Sequence, residues 1–212
     1  DDAFVDCSKL PGVTIPGSLV SIGNFAFSRC TQLGSVTIPN SVTNIGQSAF
    51  SGCSALTNLT IGNSVISIGR SAFYSCTDLE SVTIPNSVTS IGSTAFYHCS
   101  DLTAITIPNS VTSVGNGAYS WCEGLTNVIV GNGVTNIGPN AFDLCSLLAS
   151  VYFLGNTPTI GLNGIFASDT NTVYYLPGTT NWGTTFSLRP AVLWNPQPQG
   201  VALQTNQFGF TV

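Results

Sequence analysis

Apolar and polar positions recur along this chain on a fixed beat of 23 residues. In the unit Leu79–Ser100, Leu79, Val82 and Ile84 are apolar, and Ser81 and Thr83 alternate with them. Alternation with a period of two predicts a short half-buried strand over 81–84, with Val82 and Ile84 inward and Ser81 and Thr83 outward. Pro85-Asn86 ends it, because proline fixes φ and brings no N–H to a ladder. Val88 and Ile91 return to the apolar set, and Gly92 permits a bend. Ala95, Phe96, Cys99 and Leu102 then follow at offsets 0, 1, 4 and 7. That stripe predicts a helix over 93–99, too short to stand without packing.

The unit repeats. Cys7, Cys30, Cys53, Cys76, Cys99, Cys122 and Cys145 step by 23 residues and are all the cysteines of the chain. Strands are expected near 12–15, 35–38, 58–61, 81–84, 104–107 and 127–130. The turn reads Pro-Asn at 39–40, 85–86 and 108–109, and Pro-Gly or Gly-Asn elsewhere; Ala-Phe recurs at 26–27, 49–50, 72–73, 95–96 and 141–142. A single coil cannot bury its own apolar row, so like coils must stack into a continuous core. A period in this range marks a leucine-rich solenoid. The predicted fold class is therefore an α/β solenoid, with a parallel sheet on one face and short helices on the other. Curvature is expected to make the sheet face concave.

The pattern L-x-x-V-T-I-P-N-S-V-T-S-I-G-x-x-A-F-x-x-C-x-x-L resembles the BspA-like class of leucine-rich repeat, over about residues 3–154. The resemblance implies a solenoid from a bacterial secreted or cell-surface protein with an adhesive or partner-binding role, and names no ligand. Three regions are expected: a solenoid over 1–154 that starts in mid-repeat, irregular terminal coils over 155–194, and a linker with an extended segment over 195–212. At the start, Ala3, Phe4, Cys7 and Leu10 form half a repeat with no polar cap, so a missing cap or another molecule is expected to cover it. No signal peptide is read in the sequence, and Asp1 is expected to be a mature terminus left by processing or a boundary. After Cys145, strands are expected at 151–153, 173–175 and near 192–194. Tyr174, Tyr175, Trp182, Phe186 and Trp194 are expected to seal the core end as an irregular aromatic cap.

Charge narrows the functions. Only 6% of residues are charged and four are basic, against about 25% charged in an ordinary domain. Four cations cannot neutralise a run of phosphates, which excludes nucleic acid as partner. No apolar run reaches the roughly 18 residues of a membrane span. The cysteines are expected to be unpaired. Equivalent residues of stacked coils keep parallel Cβ atoms about 4.8 Å apart, beyond disulfide reach.

Catalysis has little to draw on. His98 is the only histidine, and its position is Arg29, Gly52, Ser75, Trp121 or Leu144 in other coils. Cys99 beside it should point inward, so the two make no dyad. Asp78, Asp101 and Glu80 lie close in register, but a calcium ion wants six or more oxygens. No catalytic residue, cofactor or metal site is expected. Asn58-Leu59-Thr60 fits a glycosylation sequon, as chance allows in a chain so rich in Asn and Thr.

The outward strand positions form two uncharged rows, and the candidate partner-binding residues are Thr14, Ser35, Thr37, Asn58, Thr60, Ser81, Thr83, Thr106 and Asn127. The expected function is a non-catalytic recognition or adhesion module, secreted or at the cell surface, whose partner is a protein or a glycan. The alternative is a structural protein that takes itself as partner, joining head to tail into filaments or a surface layer.

Overall fold

A computed structural model of the chain describes residues 1–166 and 169–195. The linker and extended segment expected over 195–212 lie outside the described residues, apart from Asn195.

The coils stack as the repeat requires. Strands Ser35–Thr37, Asn58–Thr60 and Ser81–Val82 pair in parallel, and Ala104–Ile107, Asn127–Val130, Ser150–Phe153, Thr172–Tyr175 and Arg189–Leu193 continue the same face. Pairing lapses between Ser81–Val82 and Ala104–Ile107, which divides the face into two sheets. The expected strand near 12–15 does not form; the chain is irregular there, and Thr14 therefore lies off the sheet. A second parallel sheet was not foreseen. It is built from seven two-residue strands, Ser21–Ile22, Asn44–Ile45, Ser67–Ile68, Ser90–Ile91, Ser113–Val114, Asn136–Ile137 and Thr159–Ile160. Each turns its apolar residue into the core and its polar residue out.

The expected helices over 93–99 and its equivalents are replaced by runs of turns. Thr94 and His98 have φ of 53° and 57°, and the same two positions are left-handed in every coil, from Asp2 and Asp6 to Asn140 and Leu144. An α-helix admits no such residues. The backbone bonds show what is gained instead. Thr94, Phe96 and His98 donate their N–H groups to Asn116, Ala118 and Ser120 of the next coil at 2.8, 2.8 and 2.9 Å. A seven-residue helix would leave most of its terminal N–H and C=O groups unpaired. It would also need 8–10 Å of width per coil, where strands are spaced by about 4.8 Å. The turn side is laced as tightly as the sheets, where Thr89 and Gly92 donate to Ile66 and Ile68 at 2.8 and 2.9 Å. Turn side and sheet side are thus both held by backbone hydrogen bonds from coil to coil.

The core is a set of ladders. Phe4, Phe27, Phe50, Phe73, Phe96, Tyr119 and Phe142 stack ring on ring with centroids 5.1–5.5 Å apart. Six of the seven cysteines are buried, Cys7 is exposed, and all are free thiols. These thiols do more than fill space. Cys53, Cys76, Cys99 and Cys122 donate through Sγ to the main-chain oxygens of Phe27, Phe50, Phe73 and Phe96 at 3.1–3.3 Å. Each bond runs to the preceding coil, and alanine could not make it. Burial pushes the Cys53 thiol up to about 12.

The ladder ends in a substitution. The last Phe, Phe166, stacks on Phe142, and the cysteine slot three residues beyond it holds Asp169, 4% exposed. Trp182 and Phe186 pack against Phe153, and Tyr175 stacks on Trp182 at 5.1 Å, which closes this end. The other two aromatic residues assigned to that seal, Tyr174 and Trp194, lie instead on the outward sheet face, where both contact Tyr152.

Candidate functional site

Period-two alternation in the long strands points one set of side chains to solvent. Ser35, Thr37, Asn58, Thr60, Ser81, Thr83, Thr106 and Asn127 are all exposed, and Thr14 is exposed on the irregular first coil. Register places Ser35, Asn58 and Ser81 side by side, and Thr37 beside Thr60. Thr106 follows beyond the break in the sheet, paired with Ile129, and Asn127 pairs with Ala104. Thr37, Thr60 and Thr83 share an open cavity of about 490 Å³, rimmed by the turn residues Pro39, Asn40 and Asn63.

The hydroxyls of this face differ from those elsewhere on the solenoid. Thr43, Thr89, Thr112 and Thr135 each donate to a carbonyl of the preceding coil at 3.2 Å, and so act as staples. Thr57 and Thr126 do the same at 3.1 and 3.0 Å, and also receive the amides of Asn58 and Asn127. Thr37, Thr60, Thr83 and Thr106 are not tied to the backbone in this way, so their hydroxyls are available to a ligand.

The residues weighed for chemistry lie apart from one another. His98 sits on the turn side between Tyr97 and Trp121, with Ser75 Oγ 3.5 Å from its Nδ1. Cys99 points the other way, its Sγ on the Phe73 oxygen, and burial holds its thiol well above the ordinary range. It supplies no thiolate to attack a substrate. Asp78, Glu80 and Asp101 are all exposed. Among the described residues no three His, Cys, Asp or Glu side chains gather as a metal site.

The sequence profile of the BspA type leucine rich repeat region matches six copies, over residues 1–92 and 66–185. The chain belongs to the BspA-type leucine-rich repeat family. Its fold is similar to a leucine-rich repeat protein of Treponema pallidum, at 29% identity and a TM-score of 0.65, covering 79% of this chain and 74% of that one. A leucine-rich repeat protein of Bacteroides ovatus shares the fold at 24% identity and a TM-score of 0.51, over 86% of this chain and 69% of its own. A leucine rich cell surface protein of Faecalibacterium prausnitzii aligns at 27% identity and a TM-score of 0.47, over 80% and 61%. No curated protein matches the sequence. Proteins of this repeat family generally serve protein binding or surface recognition. Among the described residues no helix is long and apolar enough to cross a membrane.

The outward row runs past Thr106 through Ile129 and Tyr152, as the repeat pattern implies, and continues into Tyr174, which the sequence pattern places in the aromatic seal. A strict 23-residue step from Tyr152 lands on Tyr175, whereas the structure pairs Tyr152 with Tyr174. A slip of one residue moves a side chain to the other face of a strand.

Proposed function

We propose that this chain is a non-catalytic recognition module, held outside the cell or on its surface, that binds a macromolecular partner through the outward face of its long sheet. One observation carries the reading. The exposed rows are uncharged, their threonine hydroxyls are not consumed by the fold, and three of them converge on one open cavity. The bacterial company of the fold, including a protein described as a cell surface protein, supports the location.

Binding of the full chain to a panel of immobilised extracellular proteins and polysaccharides tests the proposal. Thr60→Lys, Thr83→Lys and Thr106→Lys together should abolish the interaction and leave the circular dichroism unchanged, because the side chains face solvent. Undiminished binding by the triple variant refutes the assignment of the face. Filaments in sedimentation of the purified wild type would favour the head-to-tail structural reading instead.

A further inference from the structure

The outward row of the long sheet changes chemistry along its length. Its C-terminal end carries Tyr152 and Tyr174, stacked at 5.0 Å and 15°, with Trp194 set against Tyr152 at 5.0 Å and 60°. The backbone N–H of Trp194 donates to the Tyr175 oxygen at 2.7 Å, which fixes where the indole starts. None of the three rings belongs to the buried core; each keeps part of its surface in solvent. Beside them runs a second row on the same face, Asn127, Ser150 and Thr172, paired in register one to the next.

We infer that this aromatic end of the sheet face is a binding site for a neutral polysaccharide. The inference rests on the reading that the outward face is the recognition surface, and it names the class of ligand. A pyranose ring has an apolar C–H face and a rim of hydroxyls. Tyr152, Tyr174 and Trp194 supply flat apolar surface with polar tips, and the adjacent row supplies hydroxyl and amide groups that both donate and accept. The charge balance selects among ligands. The outward positions of the strands from Ala104 to Leu193 are Ala, Thr, Asn, Ile, Ser, Tyr, Pro and Val, without one Lys, Arg, Asp or Glu. A phosphate or sulfate, or a strongly charged peptide, finds no counter-charge here, whereas a neutral polyol needs none. The evenly laced coils add a geometric reason. The strands from Ala104–Ile107 to Arg189–Leu193 pair without a break, and strand positions recur every 4.7–4.9 Å, so an extended polymer can lie across the strands and touch the aromatic end and the Asn127 row together.

Affinity electrophoresis of the full chain tests this, in gels containing laminarin, hydroxyethylcellulose, mannan, galactan or starch, with polygalacturonate as the charged control. At least one neutral polymer should retard the wild type. Tyr152→Thr and Tyr174→Thr, which carry the row's own residue into the aromatic end, should each weaken that retardation at least tenfold in apparent Kd. Tyr152→Phe should retain most of it and shows that loss in the Thr variant is not misfolding. Retardation by none of the neutral polymers overturns the inference. So does retardation by polygalacturonate alone, or retardation that both Thr variants leave unchanged. If the variants instead sediment as a smaller species than the wild type, the rings form a contact between copies and the inference also falls. Failure here with continued sensitivity of panel binding to the lysine triple variant would leave the recognition face standing and discard only the ligand class.

Discussion

Asp169 makes the stability of the last coil depend on pH in a direction opposite to the usual carboxylate. It sits where a thiol sits in the coils before it, and its Oδ2 has no hydrogen-bond partner. Burial, then the nearby charge of Asp143, raise its pKa from 3.8 to about 7, against the pull of the Cys145 backbone N–H and of Arg189. A carboxyl whose folded pKa lies above its unfolded value binds its proton more tightly when folded. Its contribution is therefore least harmful below about pH 4. It turns against folding as pH rises through the window between about 4 and 7, and is fully adverse above it. The shift of about three pK units corresponds to about 4 kcal/mol at 1.36 kcal/mol per unit. That is a large fraction of the 5–15 kcal/mol of an ordinary domain. Asp169→Asn keeps the shape, keeps an oxygen for the Cys145 N–H and removes the charge. Urea denaturation followed by tryptophan fluorescence reads the right region, since Trp182 packs in the adjoining seal. The variant should match the wild type near pH 4 and exceed it by up to about 4 kcal/mol at pH 8. Taking the difference between the two proteins cancels the other carboxylates. A difference that stays flat from pH 4 to 8, or that favours the wild type at pH 8, would refute the reasoning.

Other substitutions test the ladders. Tyr119 stands in the phenylalanine ladder fully buried, with no partner for its hydroxyl; Tyr119→Phe should raise stability by about 1–3 kcal/mol, the usual cost of a buried unpaired polar group, seen as a higher urea midpoint. Phe96→Ala opens a cavity between Phe73 and Tyr119 in the middle of the stack and should cost about 3–5 kcal/mol, measured in the same assay. A colorimetric thiol reagent should titrate Cys7 quickly in the native protein and the six buried thiols only after denaturation; two or more fast thiols would mean that the cysteine ladder is not interior.

The cysteine spacing shows how far a one-dimensional pattern reaches. Period and composition together determined the stacking, the inward set Val82, Ile84, Phe96 and Cys99, and the outward rows of Thr and Ser. Burial follows apolarity, and identical coils can only stack in register. The same offsets of Ala95, Phe96, Cys99 and Leu102 could not separate a helix from a run of turns, because both point those four side chains inward. Only the next coil decides, by accepting the N–H groups of Thr94, Phe96 and His98 and holding two residues at positive φ. At the pairing of Tyr152 with Tyr174 the step shortens to 22 residues, and a strict 23-residue period misassigns the face. Hydrogen bonding between strands fixes register, and register carried Tyr174 and Trp194 out of the expected seal and onto the outward face of the sheet.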